Sequence, residues 1–361
     1  MVGLEIRLNL ILGCLLNPFD DAIQQEAKLH GLGGISLGLC ETVTIAENRI
    51  EANGTSVANP VCGVAVVYGE GVHVIGNHIL ANAPLPNGDP PALLPGIRGG
   101  IVLQSVASFN VLGSINAGGT GNNASTSLVN PRPAARIHEN VVDQPAGLAL
   151  YIAAFGPVMC TDNSFNSELS GTNPLELAAG TVLILNIGGT QIAPAGVSYG
   201  AVSRKPTETG PADISFKRSA TALRLLPRGH TMFNDNQSRT GMANASGTCH
   251  LIATFDDLAY QDNQSHSDRL DGVFSNAFLL AQTVRAMGNR MVEIGPKTLM
   301  SMLTLGLRMN NTSFNQGDHC IIAVDQNPAM ATIHAGNQVL HPSDLCASFQ
   351  AIATRQLRNQ G

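Results

Sequence analysis

Apolar and polar residues alternate along this chain in short stretches, and each stretch closes on the same turn. "VTIAENRI" (43–50), "VHVIGNHI" (72–79), "ARIHENVV" (135–142), "VMCTDNSF" (158–165), "TMFNDNQS" (231–238), "LAYQDNQS" (258–265), "VRAMGNRM" (284–291) and "TIHAGNQV" (332–339) are copies of one phrase. The residues five and three before its Asn are mostly apolar (Val43 and Ile45, Val72 and Val74, Ala135 and Ile137), and those between them vary (Thr44, His73, Arg136). That is the period of a strand with one buried face. The residue before the Asn is Glu47, Gly76, Glu139, Asp162, Asp235, Asp262, Gly288 or Gly336. Gly, Asn and Asp tolerate left-handed backbone angles, so the dipeptide reads as a turn.

Anchored on that residue, the copies fall at Asn9, Asn48, Asn77, Asn140, Asn163, Asn236, Asn263, Asn289, Asn315 and Asn337, with "LEIRLNLI" (4–11) and "TSFNQ" (312–316) as the first and ninth. From Asn236 the steps are 27, 26, 26 and 22 residues, about one coil of a parallel β-solenoid. Strands about 4.8 Å apart would let the amides stack and bond one another inside the fold. A second phrase precedes the first: "GGISLGLC" (33–40), "CGVAVVYG" (62–69), "GGIVLQSV" (99–106), "AGLALYIAAF" (146–155) and "HCIIAVD" (319–325). Each is a small residue followed by an apolar run, a further strand of the same coil.

The fold class expected is therefore all-β, a right-handed parallel β-helix over residues 1–340 with Asn turns stacked along it. Pro- and Gly-rich stretches at about 83–96, 116–133 and 166–215 read as loops leaving the coil; the last still contains a strand-like run. In "HPSDLCASFQAIATRQLRNQ", Ser343 is a possible N-cap and Leu345, Phe349 and Ile352 follow at helical spacing, so residues 341–361 are expected to be a capping helix.

Composition narrows the picture. Charged residues make up 13% and hydrophobic ones 44%, with 38 Gly and no Trp, which suits stacked short strands and tells against disorder. The net charge is −6 and no cluster of Lys or Arg is interleaved with aromatics, so nucleic acid is not an expected partner. Seven cysteines without a CxxC read as small buried hydrophobes. No apolar run reaches the length of a membrane helix. "LILGC" (10–14) has the look of a lipoprotein cleavage box, but its apolar stretch is short and Glu5 stands where a basic region belongs.

The phrases together resemble the right-handed parallel β-helix repeat proteins, the superfold that pectate lyases share with many phage tailspikes. The likeness runs over nearly the whole chain. "CLLNPFDDAIQ", "GGISLGLCETVTIAENRIEANG", "PAARIHENVVDQPAGLAL" and "NNTSFNQGDHCI" are similar to stretches of uncharacterised bacterial β-helix proteins often encoded near phage-tail-like genes. The resemblance implies a fold and leaves function open.

The candidates for chemistry are few. Asp235 and Asp262 stand one coil apart, close enough to share a cation or a proton, but a turn role accounts for them better, since Gly takes the same slot in other coils. Asp256 and Asp257 are neighbours on a strand and so face opposite ways. "GDHC" (317–320) sets Asp318 beside His319, an acid/base element that a turn would also explain. The other histidines, 73, 78, 138, 230, 250 and 334, are expected at the surface. The calcium-binding acids and Arg base of pectate-lyase-like enzymes cannot be assembled; Arg136 and Arg285 share an outward column without a stack of acids. N-x-S/T triplets at Asn53, Asn123, Asn236 and Asn263 follow from turn composition. No cofactor is called for.

Two functions remain. One is a non-enzymatic structural or attachment module of an extracellular or phage-tail-like assembly, with a polysaccharide or cell-surface glycan as ligand. The other is a polysaccharide lyase, hydrolase or epimerase on the same scaffold. The first strand, "LEIRLNLI", starts without a capping helix, so its end is expected to be covered by upstream chain or by another copy. A lateral trimer would need an apolar stripe that the sequence does not display.

Overall fold

The computed structural model describes residues 2–17, 21–84 except 58, 94–108, 133–187 except 172, 229–269, 275–293, 300–315, 322–325, 333–334 and 338–340. Within them the chain is a parallel β-solenoid. Every strand pairing is parallel and joins one coil to the next. Each complete coil has three faces.

The first face holds Leu32–Cys40 of β3 (Leu32–Ala46), Val61–Gly69 of β5 (Val61–Ile75), β7 (Gly99–Ala107), β10 (Leu148–Phe155), β13 (Val182–Asn186), β16 (His250–Thr254), the start of β19 (Ala277–Glu293), the start of β20 (Met300–Asn315) and β21 (Ile322–Asp325). The second holds β1 (Val2–Arg7), the ends of β3 and β5, then β8 (Ala135–His138), β11 (Val158–Thr161), β14 (Thr231–Asn234), β17 (Asp257–Gln261), the middles of β19 and β20, and β22 (Ile333–His334). The third follows the Asn: β2 (Leu10–Leu12), β4 (Arg49–Glu51), β6 (His78–Leu80), β9 (Val141–Gln144), β12 (Ser164–Leu169), β15 (Gln237–Ala243), β18 (Gln264–Ser267), the ends of β19 and β20, and β23 (Gln338–Leu340).

Alternation places the core. Val43, Ile45, Val72, Val74, Ile137, Val158 and Cys160 point into the lumen from the second face, and Ile50, Ile79, Val142 and Phe165 from the third. First-face strands such as "VCGVAVV" are apolar at both parities because both sides are covered. Val64 and Val66 face the main core, while Ala65, Val102, Tyr151 and Leu183 form a second cluster on the outer side.

The corner between the second and third faces carries the repeated turn. The residue before the Asn has positive φ in every coil from the first to the eighth: Leu8 58°, Glu47 55°, Gly76 64°, Glu139 55°, Asp162 58°, Asp235 57°, Asp262 55° and Gly288 67°. Past that corner, the Asn donates from both its backbone N–H and its Nδ2 to the Oδ1 of the Asn one coil on. Asn9, Asn48, Asn77, Asn140, Asn163, Asn236, Asn263 and Asn289 are joined in this way by Nδ2–Oδ1 bonds of 2.9–3.2 Å. Each Nδ2 from Asn48 onward also donates to a main-chain oxygen of the coil before, as Asn163 does to Ile137 and Asn236 to Cys160. All but Asn9 are buried.

Several expectations need revising. Asn315 lies in β20 opposite Glu293, not at the turn. Arg290, which follows Asn289, pairs with Thr312, and Thr312 pairs with Gln338. The position in register with Asn289 is therefore Asn311, and the steps of 26 and 22 residues are reversed to 22 and 26. A one-residue register shift between Met287 and Arg290 hides this in the sequence. The long steps hold no additional coil. Asn77 bonds Asn140 directly, and Asn163 bonds Asn236. Their extra length lies between first-face and second-face strands, as residues 109–132 and 188–228.

The helix α1 (Asp21–His30) was not anticipated. It lies in the connection between β2 and the first-face part of β3, and Gly31 and Gly96 donate to the Ala27 and Lys28 carbonyls of its final turn. A short 3-10 helix at Pro174–Leu177 begins with Asn173 in a capping box with Glu176. Asn337 and the expected capping helix at 341–361 lie outside the described residues, as do most of 83–96 and all of 116–133 but its last residue.

Replacing Asn236 with Ala should cost about 1–3 kcal/mol, because it removes the acceptor of the buried Asn163 backbone N–H and the Nδ2 donor to the Cys160 carbonyl. Asn9→Ala should cost clearly less, since Asn9 is exposed and its Oδ1 accepts no bond among the described residues. Urea denaturation of the two variants measures the difference.

Candidate functional site

The third face changes character along the stack. After each Asn, the first and third residues point outward and the second points in. In the first coil the outward pair is Leu10 and Leu12. In the fifth to eighth coils it is Ser164 and Asn166, Gln237 and Arg239, Gln264 and His266, then Arg290 and Val292. Strand pairing stacks Ser164, Gln237, Gln264 and Arg290 in one row, and Asn166, Arg239, His266 and Val292 in the next. These residues line an open groove of about 520 Å³.

Charge pairing fixes one wall of this groove. Arg239 Nη1 reaches Glu168 Oε1 at 2.8 Å and Nη2 reaches Asp268 Oδ2 at 2.6 Å, while His266 Nε2 lies 2.5 Å from Asp268 Oδ1. Asn166 Nδ2 donates to Asp143 Oδ1 at 2.6 Å. Hydrogen bonding to Asp268, then its charge and that of Glu168, raise the Arg239 guanidinium above its ordinary range against a smaller opposing effect of burial. It stays a cation. The row Ser164, Gln237, Gln264 and Arg290 faces solvent, offering hydroxyl, amide and guanidinium groups one strand apart.

The lumen beneath is polar too. The inward residue after the Asn is Ile50, Ile79, Val142 or Phe165 in earlier coils, but Ser238 and Ser265 in the sixth and seventh. The space is taken by His250 and Tyr260. His250 Nε2 lies 2.6 Å from Ser238 Oγ and Nδ1 lies 2.6 Å from Tyr260 Oη. Phe233 stacks on Tyr260 at 5.8 Å and meets the His250 ring edge-on at 4.8 Å. Ala277 and Ala286 are the strand partners one coil on, and their small side chains leave room for both rings.

His250 was expected at the surface. It is fully buried because it shares parity with Ile252 in "HLIAT", and burial lowers its pKa from 6.5 to about 3. The ring is therefore neutral at pH 7, with one nitrogen donating and the other accepting. Ser238, His250 and Tyr260 have the bonding order of a nucleophile and its base, yet all three are buried, facing away from the groove.

The acids singled out from the sequence do not line the groove. Asp235 and Asp262 occupy the positive-φ slot of adjacent coils, with Asp162 on the other side. Burial, followed by the charges of Asp162 and Asp262, raises the Asp235 carboxyl above its ordinary range. The Asp262 carboxylate leans across the next slot, where a Cβ on Gly288 would overlap it. No three His, Cys, Asp or Glu side chains among the described residues are grouped to hold a metal ion. Asp256 is buried and Asp257 exposed at the start of β17, so the two face apart. Asp318 and His319 lie outside the described residues. Gln237, Gln264, Arg239, His266 and Arg290 were missed, although their place after each Asn turn was visible.

The low pKa of His250 makes acid destabilising. An unfolded His binds a proton below about pH 6.5, whereas the folded one resists until about 3. Its contribution is whole above pH 6.5 and is lost as pH falls, at about 1.4 kcal/mol per unit. The urea midpoint should drop through this window, and His250→Phe should lose that one-proton slope whatever its stability at pH 7.

Among the described residues, no helix is long and apolar enough to cross a membrane. Comparison with protein-family models, curated proteins and solved structures returns no match.

Proposed function

We propose that this chain is a right-handed parallel β-helix that serves as a non-enzymatic structural or attachment module, holding a glycan in the groove of the third face. Parallel strands joined by crossovers are right-handed in the great majority of sheets, which supports the hand. The observation that carries the role is the groove itself. Its exposed row of Ser164, Gln237, Gln264 and Arg290 offers the donors and acceptors that sugar hydroxyls need, spaced by the strand repeat of about 4.8 Å. The backbone beneath is held by parallel pairing in every coil, so binding would order few groups beyond the side chains themselves.

An attachment role in an extracellular or phage-tail-like assembly accords with a rigid body of low charge. The lyase, hydrolase or epimerase alternative would need an acid or base within reach of a bound chain. Glu168 and Asp268, the carboxylates that pair with groove residues, are engaged by Arg239 and His266, and the Ser238 hydroxyl and His250 bond each other in the lumen.

A glycan array followed by a turnover assay on the bound glycans tests the proposal. Binding without cleavage is the expected result, and Gln264→Ala and Arg290→Ala should each weaken it about 2- to 10-fold, the worth of one or two hydrogen bonds. Chain cleavage or new unsaturated ends would overturn it.

A further inference from the structure

We propose that the groove selects a neutral glycan, an extended 1,4-linked chain that lies along the stack with one sugar on each of the fifth to eighth coils. This rests on the glycan reading above and adds to it the charge, linkage, direction and length of the bound chain.

The two walls set the direction. Each coil offers the groove two outward side chains about 7 Å apart along the strand, such as Gln237 and Arg239. On one side the strand begins at the Asn corner, where Asp162, Asp235 and Asp262 stand exposed two residues before Ser164, Gln237 and Gln264. On the other side Glu168 and Asp268 hold Arg239 between them. Both walls run from coil to coil, so the open direction is along the stack. Strand pairing sets Ser164, Gln237, Gln264 and Arg290 in line there, over three strand spacings or about 14 Å. Pyranose rings joined through equatorial 1,4 bonds form a flat ribbon that advances by close to one strand spacing per ring. An axial bond coils the chain and takes it out of line. Successive rings of the ribbon face opposite ways, and the second polar row of Asn166, Arg239 and His266 meets the edge that the first row does not.

The rim sets the charge. Asp162 reaches His138, and among the described residues no cation pairs with Asp235 or Asp262. On the other wall Glu168 and Asp268 already match Arg239 and His266. Arg290 is the remaining cation of the groove, at the eighth coil, where the corner residue is Gly288. A polyuronate would carry a carboxylate past these acids at successive coils, and like charges set side by side disfavour it. The hydroxyls of a neutral sugar instead donate to carboxylates in charge-assisted bonds.

Calorimetric titration of the full chain with β-1,4-linked glucose, mannose and xylose oligomers of one to six units tests this. In at least one series, affinity should rise about 2- to 10-fold with each sugar up to the fourth, as one or two hydrogen bonds give, and level off beyond it. Ser164→Ala, at one end of the row, should move that levelling to the third sugar. Oligomers of α-1,4-linked glucose and of β-1,4-linked glucuronate should bind at least about tenfold more weakly. Asp235→Asn/Asp262→Asn should narrow the gap between the neutral and glucuronate series, as should added salt. Circular dichroism checks that each variant keeps its strands. Binding with no rise to the fourth sugar, or an acidic or axially linked series bound as tightly as the neutral one, would overturn this inference and leave the glycan reading standing. No binding of any glycan would overturn both.

Discussion

The stack depends on one corner, where the backbone turns through positive φ and an amide takes over the hydrogen bonding. The residue before the Asn supplies only the bend, which is why Leu8, Glu47, Gly76, Asp162 and Gly288 can all stand there. The Asn itself must do two things at once. Its Oδ1 accepts from the coil before, and its Nδ2 donates to the coil after and to a main-chain carbonyl that the bend leaves open. A carboxylate has no donor and a hydroxyl has no second arm, so neither could satisfy the position in the dry lumen. The backbone N–H and side-chain N–H of one Asn converge on the same oxygen, which fixes the register of each coil on the next.

That fixed register lets side chains form continuous rows. On the third face the outward rows run from leucine at the first coil to Gln, Arg and His at the fifth to eighth, over an unchanged backbone. The inner row turns polar at the sixth and seventh coils, with Ser238 and Ser265 beneath the groove and His250 bonding Ser238 to Tyr260. Buried polar groups of this kind hold together only when each is partnered. His250 meets that condition with both ring nitrogens, at the cost of its ability to take up a proton.

Parallel coils were legible in the sequence because the apolar alternation and the Asn turn recur together. The strand after each Asn was harder to see, being as short as three residues with a single inward side chain in the first three coils. The ninth coil was misread because a register shift after Met287 moves its turn to Asn311, and spacing alone favours Asn315. His250 was misplaced because a lone His suggests the surface, although its parity with Ile252 put it inside. The helix α1 is an insertion ahead of the first-face strand of β3, outside both repeated phrases. Gln237, Gln264 and Arg290 sit at outward positions, where the sequence is free to vary and so carries no periodic signal. Their meaning appears only when the coils are superposed.

The two long insertions show what this architecture permits. Both enter at the corner between the first and second faces, after β7 and after β13, and in both cases the chain returns to bond the same neighbour it would have met without them. That corner bears none of the Asn-to-Asn bonds. A length of sequence can therefore be gained or lost there while the amide file, on the opposite edge of the second face, stays in register. The solenoid thus separates the part of its sequence that must be copied faithfully from the part on which novelty can be written.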